Sequence, residues 1–349
     1  MRFEAATIKD IARSLGYSPS TVSRALRDCN DISETTKQLV LDYASKINYT
    51  PNPIALSLKA GRSRTIGVIV HEIANSFFSQ VINGIECIAR EYGYNVIITQ
   101  SLGSYENEMS ITRMLAARSI DGCLVSVAPG TENLQHFTNL QQRGLPIVFF
   151  DRTVEELPGH KVIIDNKIGG YKGTHHLLKN HCRRVAFIGE SRHQYITGQR
   201  LEGYKAALDE HHLDIDESVI KFCPQGGADY YEVESVMQEL FDSDNKPDAI
   251  FTATDKLTIT VMRCCRDMKL DVPGCVALAG FSNMENTDLF CPSLTVLRQP
   301  AMQMGRTAAR LLIKSIEAKR PVCEFERQVL PVELRIGESG RGRIRTLTA

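Results

Sequence analysis

Three groups of residues carry side chains whose type and spacing could do chemistry. The first is Ser18-Pro19-Ser20-Thr21 with Ser23 and Arg24. Short hydroxyls beside one guanidinium can hydrogen-bond base edges and phosphates without steric bulk. The second is Phe77-Phe78, which follow Asn75-Ser76 after an apolar run. Adjacent aromatics in a strand-to-helix loop could stack on the face of a sugar or base, or simply pack in the core. The third is Arg200 in Gln199-Arg-Leu-Glu-Gly-Tyr204, whose fork of donors suits a hydroxyl pair or a carboxylate. Paired histidines at 175/176 and 211/212, with His181 nearby, lack the His-x-x-x-His and His-Glu-x-x-His spacings. They are expected on the surface, with no metal bound. No Gly-x-Gly-x-x-Gly or Gly-x-Ser-x-Gly occurs at a strand end, so neither a cofactor nor catalytic residues are expected.

The elements that position the first group form a small helical head. Thr7-Ile-Lys-Asp10 has the form of a capping box, and Ile8, Ile11, Ala12 and Leu15 recur at helical spacing until Gly16. Ser18-Pro19 starts a second helix with Val22, Ala25 and Leu26 inward, and Ser33 a third with Val40, Ala44 and Ile47 inward, Ile32 serving as a staple. Three short helices with a tight turn between the first two make a helix-turn-helix, whose second helix can enter a major groove. Residues 1–64 hold ten basic and six acidic side chains, a local excess of four in a chain with 41 of each sign. That neutral total excludes a protein that coats nucleic acid by bulk charge, and leaves room for a local patch.

The other two groups sit on a duplicated body. Arg64-Thr-Ile-Gly-Val-Ile-Val is answered by Arg184-Val-Ala-Phe-Ile-Gly-Glu, Asp121-Gly-Cys-Leu-Val by Asp248-Ala-Ile-Phe-Thr, and Leu145-Pro-Ile-Val-Phe-Phe by Val272-Pro-Gly-Cys-Val-Ala-Leu. Apolar runs alternating with helical patterns predict parallel sheets, and two copies predict two lobes facing across a cleft. The 43% hydrophobic and 23% charged composition fits such a globular chain and excludes a disordered or fibrous one. Ten cysteines without Cys-x-x-Cys read mostly as small apolar residues, as in the runs holding Cys123 and Cys275. No apolar run is long enough to span a membrane and the first ten residues lack a leader pattern. The cytoplasm is the expected compartment.

Two segments, Thr7-Ile-Lys-Asp-Ile-Ala-Arg-Ser-Leu-Gly-Tyr-Ser-Pro-Ser-Thr-Val-Ser-Arg-Ala-Leu26 and Asn48-Tyr-Thr-Pro-Asn-Pro-Ile-Ala-Leu-Ser-Leu58, resemble the lactose-repressor/galactose-repressor family of bacterial transcription regulators. The resemblance runs from residue 7 to about residue 337. It implies an all-α helix-turn-helix head (1–50), a hinge helix and linker (51–63) and an α/β two-lobed periplasmic-binding-protein-like domain for effector binding and dimerisation (64–337). By that similarity lobe one spans about 64–164 and 296–322, and lobe two about 165–293 and 323–337. Crossings fall near 163–166, 292–296 and 321–325. Residues 338–349 have the composition of a disordered tail.

The resemblance also implies roles. DNA contacts would come from Thr7, Ser18, Pro19, Ser20, Thr21, Ser23 and Arg24, and from Asn52, Ala55, Leu58 and Lys59 in the hinge, with Leu58 as the minor-groove wedge. Effector contacts would come from Phe77, Phe78, Asp151, Arg200, Asp255, Ser282 and Gln299. Asp255 could equally be an N-cap. Relatives commonly carry aspartate where Ser282 stands, so this pocket departs from the family pattern and an anionic ligand becomes an alternative. The implied protein is a homodimeric repressor on palindromic double-stranded operator DNA, controlled by a small-molecule effector, a sugar or sugar derivative. Rival readings are a transport-type sugar-binding protein, which would need a leader and no head, and a nucleotide-cofactor enzyme, which would need a glycine-rich phosphate loop.

Overall fold

The computed structural model describes residues 6–50, 61–192 and 194–342. They divide into a head that ends at Arg64 and a body that begins at Thr65.

In the head, α1 (Ile8–Leu15), α2 (Pro19–Ala25) and α3 (Glu34–Lys46) surround a core of Ile11, Val22, Ala25, Val40 and Ala44. Each helix starts where its sequence supplies an acceptor for the free first-turn N–H groups. The Asp10 carboxylate accepts from the Thr7 N–H at 3.0 Å and from its hydroxyl at 2.7 Å. Ser18 Oγ accepts from the Thr21 N–H at 3.1 Å, and Ser33 Oγ from Thr36 N–H at 3.3 Å. Gly16 ends α1 at φ +71°, a left-handed conformation that costs glycine little. The expected hinge residues Asn52, Ala55, Leu58 and Lys59 lie outside the described residues.

The body first lays down β1 (Thr65–Val70), α4 (Ser76–Glu91), β2 (Asn95–Gln100), α5 (Tyr105–Ala117), β3 (Gly122–Val125), α6 (Gln135–Gln142), β4 (Ile147–Phe150) and β5 (His160–Ile164). There follow α7 (Asn166–Lys179), β6 (Val185–Gly189), α8 (Tyr195–Glu210), β7 (Ile220–Phe222), α9 (Tyr230–Asp242), β8 (Ala249–Thr252), α10 (Asp255–Asp267), β9 (Ala277–Phe281) and β10 (Thr295–Arg298). The last elements are α11 (Ala301–Glu317), β11 (Arg327–Leu330) and β12 (Glu333–Arg335). One sheet has the order β11-β5-β4-β3-β1-β2 and the other β12-β10-β9-β8-β6-β7, so the duplication read from the sequence is visible as one topology used twice. Strands buried on both faces explain the continuous apolar runs.

The observed lobe boundaries differ from those expected at two of three crossings. β10 pairs with β9, so residues 295–298 belong to lobe two and the chain crosses at Gln299–Pro300, beyond the expected 292–296. β11 pairs in parallel with β5, which keeps residues 327–330 in lobe one and moves the last crossing from 321–325 to Pro331–Val332. β12 then pairs antiparallel with β10, the exception to the parallel sheets. The expected disordered tail is also displaced. Ser339 is fully buried and exchanges four hydrogen bonds of 2.7–2.9 Å with Leu278, Ser293 and Thr295. Its composition is loop-like, but its backbone closes the ends of two strands. Residues 343–349 lie outside the described residues.

Each lobe is sealed by a glycine seam between two helices. In lobe one a Cβ on Gly84 of α4 would sit 2.3 Å from the Met302 carbonyl oxygen, and one on Gly305 of α11 would sit 2.0 Å from that of Val81. In lobe two Gly170 of α7 faces the Arg200 carbonyl at 2.1 Å, and Gly203 of α8 that of Lys167 at 2.0 Å. Backbone therefore touches backbone, and no larger residue fits without parting the helices.

Candidate functional site

The packing of α2 decides which of its residues face outward. Val22 and Ala25 turn into the head core, which leaves Ser18, Pro19, Ser20 and Arg24 exposed and Thr21 and Ser23 half-buried. The hydroxyls of Ser20 and Thr21 lie 2.7 and 2.8 Å from Ser18 Oγ. Arg24 is held by an exposed ion pair, Nη1 to Asp31 Oδ2 at 2.6 Å. Thr7 is exposed, with its hydroxyl committed to Asp10.

In the body, one cavity of about 90 Å³ lies between the two lobes. Phe77, Phe78 and Asp151 line it from lobe one, Arg200, Asp255 and Ser282 from lobe two, and Gln299 from the crossing between them. All seven residues singled out in the sequence are thus brought to one place. The strand ends converge there because the two sheets point their carboxyl edges at each other.

Phe77 and Phe78 occupy the first turn of α4, behind Asn75, whose Oδ1 accepts from the Phe77 N–H at 2.9 Å. Their rings meet edge to face, with centroids 5.0 Å apart, and both belong to the lobe-one core while their edges wall the cavity. Core packing and cavity lining are combined in the same side chains.

Arg200 is buried in α8, and among the described residues no carboxylate forms an ion pair with it. Its Nε donates to Asn166 Oδ1 at 2.9 Å, its Nη1 to the Ala253 carbonyl, and its Nη2 to Gln299 Oε1 at 2.8 Å. The guanidinium lies 3.5 Å from the centre of the Phe281 ring. Burial pulls its pKa down to about 9, opposed by the charges of Asp151 and Glu190, so it remains a cation at neutral pH. Burial conversely pushes the carboxyls of Asp151 and Asp255 up.

Asp255 is not an N-cap: Thr254 holds that position, and Asp255 is the first helical residue of α10. Its Oδ1 accepts a short hydrogen bond from Ser282 Oγ. The carboxylate missing at 282 is therefore supplied to the same spot from the neighbouring strand end. Asp151, at φ +58°, accepts from Ser126 Oγ at 3.4 Å.

The cavity residues that escaped the sequence reading include His71, Arg152, Glu190 and Thr254. Each stands within two residues of the end of β1, β4, β6 or β8, so listing strand-end neighbours would have found them. His71 Nδ1, Arg152 Nη1 and Thr254 Oγ1 are buried there without a hydrogen-bond partner. Two ion pairs tie the lobes at this cavity, Arg152 to Glu190 at 3.5 Å and Lys256 to Glu72 at 2.5 Å. Gln80 and Asn283 add a reciprocal pair of hydrogen bonds at 2.9 and 3.0 Å.

Of the histidines expected on the surface, His181 and His212 are exposed and His175, His176 and His211 half-buried. His175 of α7 and His211, just after α8, are 3.1 Å apart through their ring nitrogens, beside Tyr171 and Glu210. Among the described cysteines, Cys123 is buried as expected and Cys275 is exposed, contrary to its apolar run. Among the described residues no helix is long and apolar enough to cross a membrane.

Comparison with known proteins agrees with these features. Residues 7–52 match the family described as bacterial regulatory proteins, lacI family, and residues 174–340 match the periplasmic binding protein-like domain. The HTH-type transcriptional repressor PurR of Vibrio atlanticus (strain LGP32) is 30% identical over 342 residues, covering 98% of this chain and 99% of that one. A solved complex of the transcriptional regulator CelR with cellobiose is 27% identical, with a TM-score of 0.69 over 96% of this chain and 99% of that chain. The lac repressor dimer bound to operator and the anti-inducer ONPF superposes with a TM-score of 0.81 over 97% and 99% of the two chains. At 20% identity it speaks for the fold alone.

Proposed function

Because the chain belongs to the lacI family of bacterial regulatory proteins, we propose that it is a cytoplasmic transcriptional repressor, not an enzyme, whose head binds operator DNA under control of an effector held between the lobes. Two heads in a homodimer would read the halves of a palindrome, with Ser20, Thr21 and Arg24 at base edges or adjacent phosphates. The effector is a small hydroxylated molecule, a sugar or sugar derivative. What carries this reading is the cleft cavity, with aromatic edges, a buried guanidinium, one buried and one half-buried carboxyl and three polar atoms left without partners. Buried polar atoms are ordinarily paired, so three in one cavity are groups available to a ligand.

Its volume supports one order of events. Ligand pockets commonly enclose about 300–1,000 Å³, and this one encloses about 90 Å³. The lobes must part to admit a ring, and the effector acts by favouring one lobe arrangement over another. Titrating ribose and cellobiose by calorimetry against the wild type and Arg200→Ala tests the reading. Charge-assisted hydrogen bonds contribute about 1.5–3 kcal/mol, so Arg200→Ala should weaken the sugar that binds by roughly ten- to a hundredfold while operator binding persists. If neither those sugars nor their phosphorylated forms bind at millimolar concentration, the assignment falls.

A further inference from the structure

Outside the cleft, a second hollow of about 570 Å³ lies against the Gln299–Pro300 crossing. Four arginines line it and no carboxylate does: Arg298 at the end of β10, Arg306 and Arg310 on α11, and Arg335 on β12. Among the described residues only Arg335 has an acidic partner, Glu333 at 3.4 Å. Arg306 reaches Cys87 Sγ at 3.9 Å, and Arg298 and Arg310 form no ion pair. Arg306 and Arg310 stand one turn apart on an exposed helix face. Like charges at that spacing destabilise a helix, and among the described residues no carboxylate pairs with either. An adjoining hollow of about 810 Å³ shares Arg298 and Arg335 and adds Lys172, Lys179 and the carboxylate of Glu333.

We propose that the arginine hollow binds a compact soluble organic phosphate carrying two or more negative charges. Guanidinium forks match phosphate oxygens two at a time, and four of them exceed what one carboxylate neutralises. The hollow is within the usual size of small-molecule sites. Its walls come from both lobes, α11 from one and β10 with β12 from the other. Gln299 lines this hollow and the cleft cavity alike, and there it accepts from Arg200. A phosphate drawing these arginines together fixes the lobe arrangement that the effector also selects, so the two ligands alter each other's affinity by the same factor. The site does not rest on the identity of the cleft ligand.

The test is calorimetric titration of the full-length protein with inorganic pyrophosphate, at an ionic strength held constant with chloride. The wild type should bind, and R306Q/R310Q should weaken binding by roughly tenfold or more. R298Q gives an independent reading should the double variant melt early, and R143Q, at an exposed arginine just after α6 that lines neither hollow, should bind as the wild type does. Absence of binding at millimolar pyrophosphate overturns the proposal. So does an equal loss in R143Q, which would reduce the effect to general surface charge. Capture of a phosphoserine peptide through the same arginines, with no affinity for pyrophosphate, also overturns it, since the face would then serve a protein partner.

Discussion

Lys256 Nζ on α10 lies 2.5 Å from Glu72 Oε2 at the end of β1, so the mouth of the cleft is spanned by an ion pair with one partner on each lobe. Both side chains remain partly exposed, and such pairs contribute little to global stability. Their effect falls on lobe opening. Glu72→Gln should raise the association rate of the effector by about two- to fivefold, the scale of a pair worth up to about 1 kcal/mol. Stopped-flow binding measures it, and an unchanged rate would mean that the pair does not gate the cavity.

The head offers a pair of substitutions with opposite signs. Arg24→Ala should weaken operator binding by roughly tenfold or more, as expected for loss of a base or phosphate contact. Asp31→Asn removes the carboxylate that occupies Arg24 and should tighten binding. Anisotropy titrations at one fixed salt concentration separate the two, because binding of this kind weakens steeply with salt. If both variants bind more weakly, Asp31 is holding the loop before α3 and not restraining Arg24.

The glycine seams predict a stability loss without loss of any contact. Gly84→Ala and Gly203→Ala place a methyl group about 2 Å from a carbonyl oxygen of the facing helix, a case of overpacking that costs about 1–3 kcal/mol. Urea unfolding should show both variants destabilised, while Gly93→Ala, where a Cβ meets no neighbour and only the left-handed φ of +70° opposes it, should cost less. Equal losses at all three would assign the effect to backbone conformation alone.

Mild acid should weaken the body through its histidines. His160 Nδ1 accepts from the Glu326 N–H at 2.9 Å, so that nitrogen must be unprotonated, and burial holds its pKa below the usual histidine value. Between the folded and unfolded pKa values the unfolded chain binds more protons, so stability present at pH 7.5 is lost as pH falls through the folded value. His71, His175 and His176 shift in the same direction, each chiefly by burial. His160→Gln should flatten the decline in melting temperature between pH 7.5 and 5.5 by about 2 °C, the equivalent of one hydrogen bond of about 1 kcal/mol. An unaltered slope would remove His160 from the account.

Local signals in the sequence located the head helices, because caps such as Ser18 and Ser33 act within three residues of themselves. They also located the duplicated strands, whose burial on both faces leaves uninterrupted apolar runs. The seven cavity residues were legible by resemblance, whereas His71 and Thr254 carry no pattern of their own and matter only because strand ends converge. The crossings were misplaced for a similar reason. Whether residues 295–298 pair with β9 or with lobe one is settled by register between distant strands, which no window of sequence contains. Ser339 shows the limit most clearly: its neighbours are polar and glycine-rich, yet four hydrogen bonds to distant strands bury it.

The late arrival of α11 and β11 in lobe one governs how the protein is made. On the ribosome, α4 emerges with its glycine face bare, and the helix that covers it does not exist until residues 301–317 have been translated. At 5–20 residues per second that gap lasts roughly 10–40 s, during which lobe two is synthesised but still lacks β12. The DNA-reading head has by then been outside the ribosome longest, with its own closed core. A nascent chain thus carries a finished reading head on an unfinished sensor, and neither lobe can be completed before the final segment of the body is released.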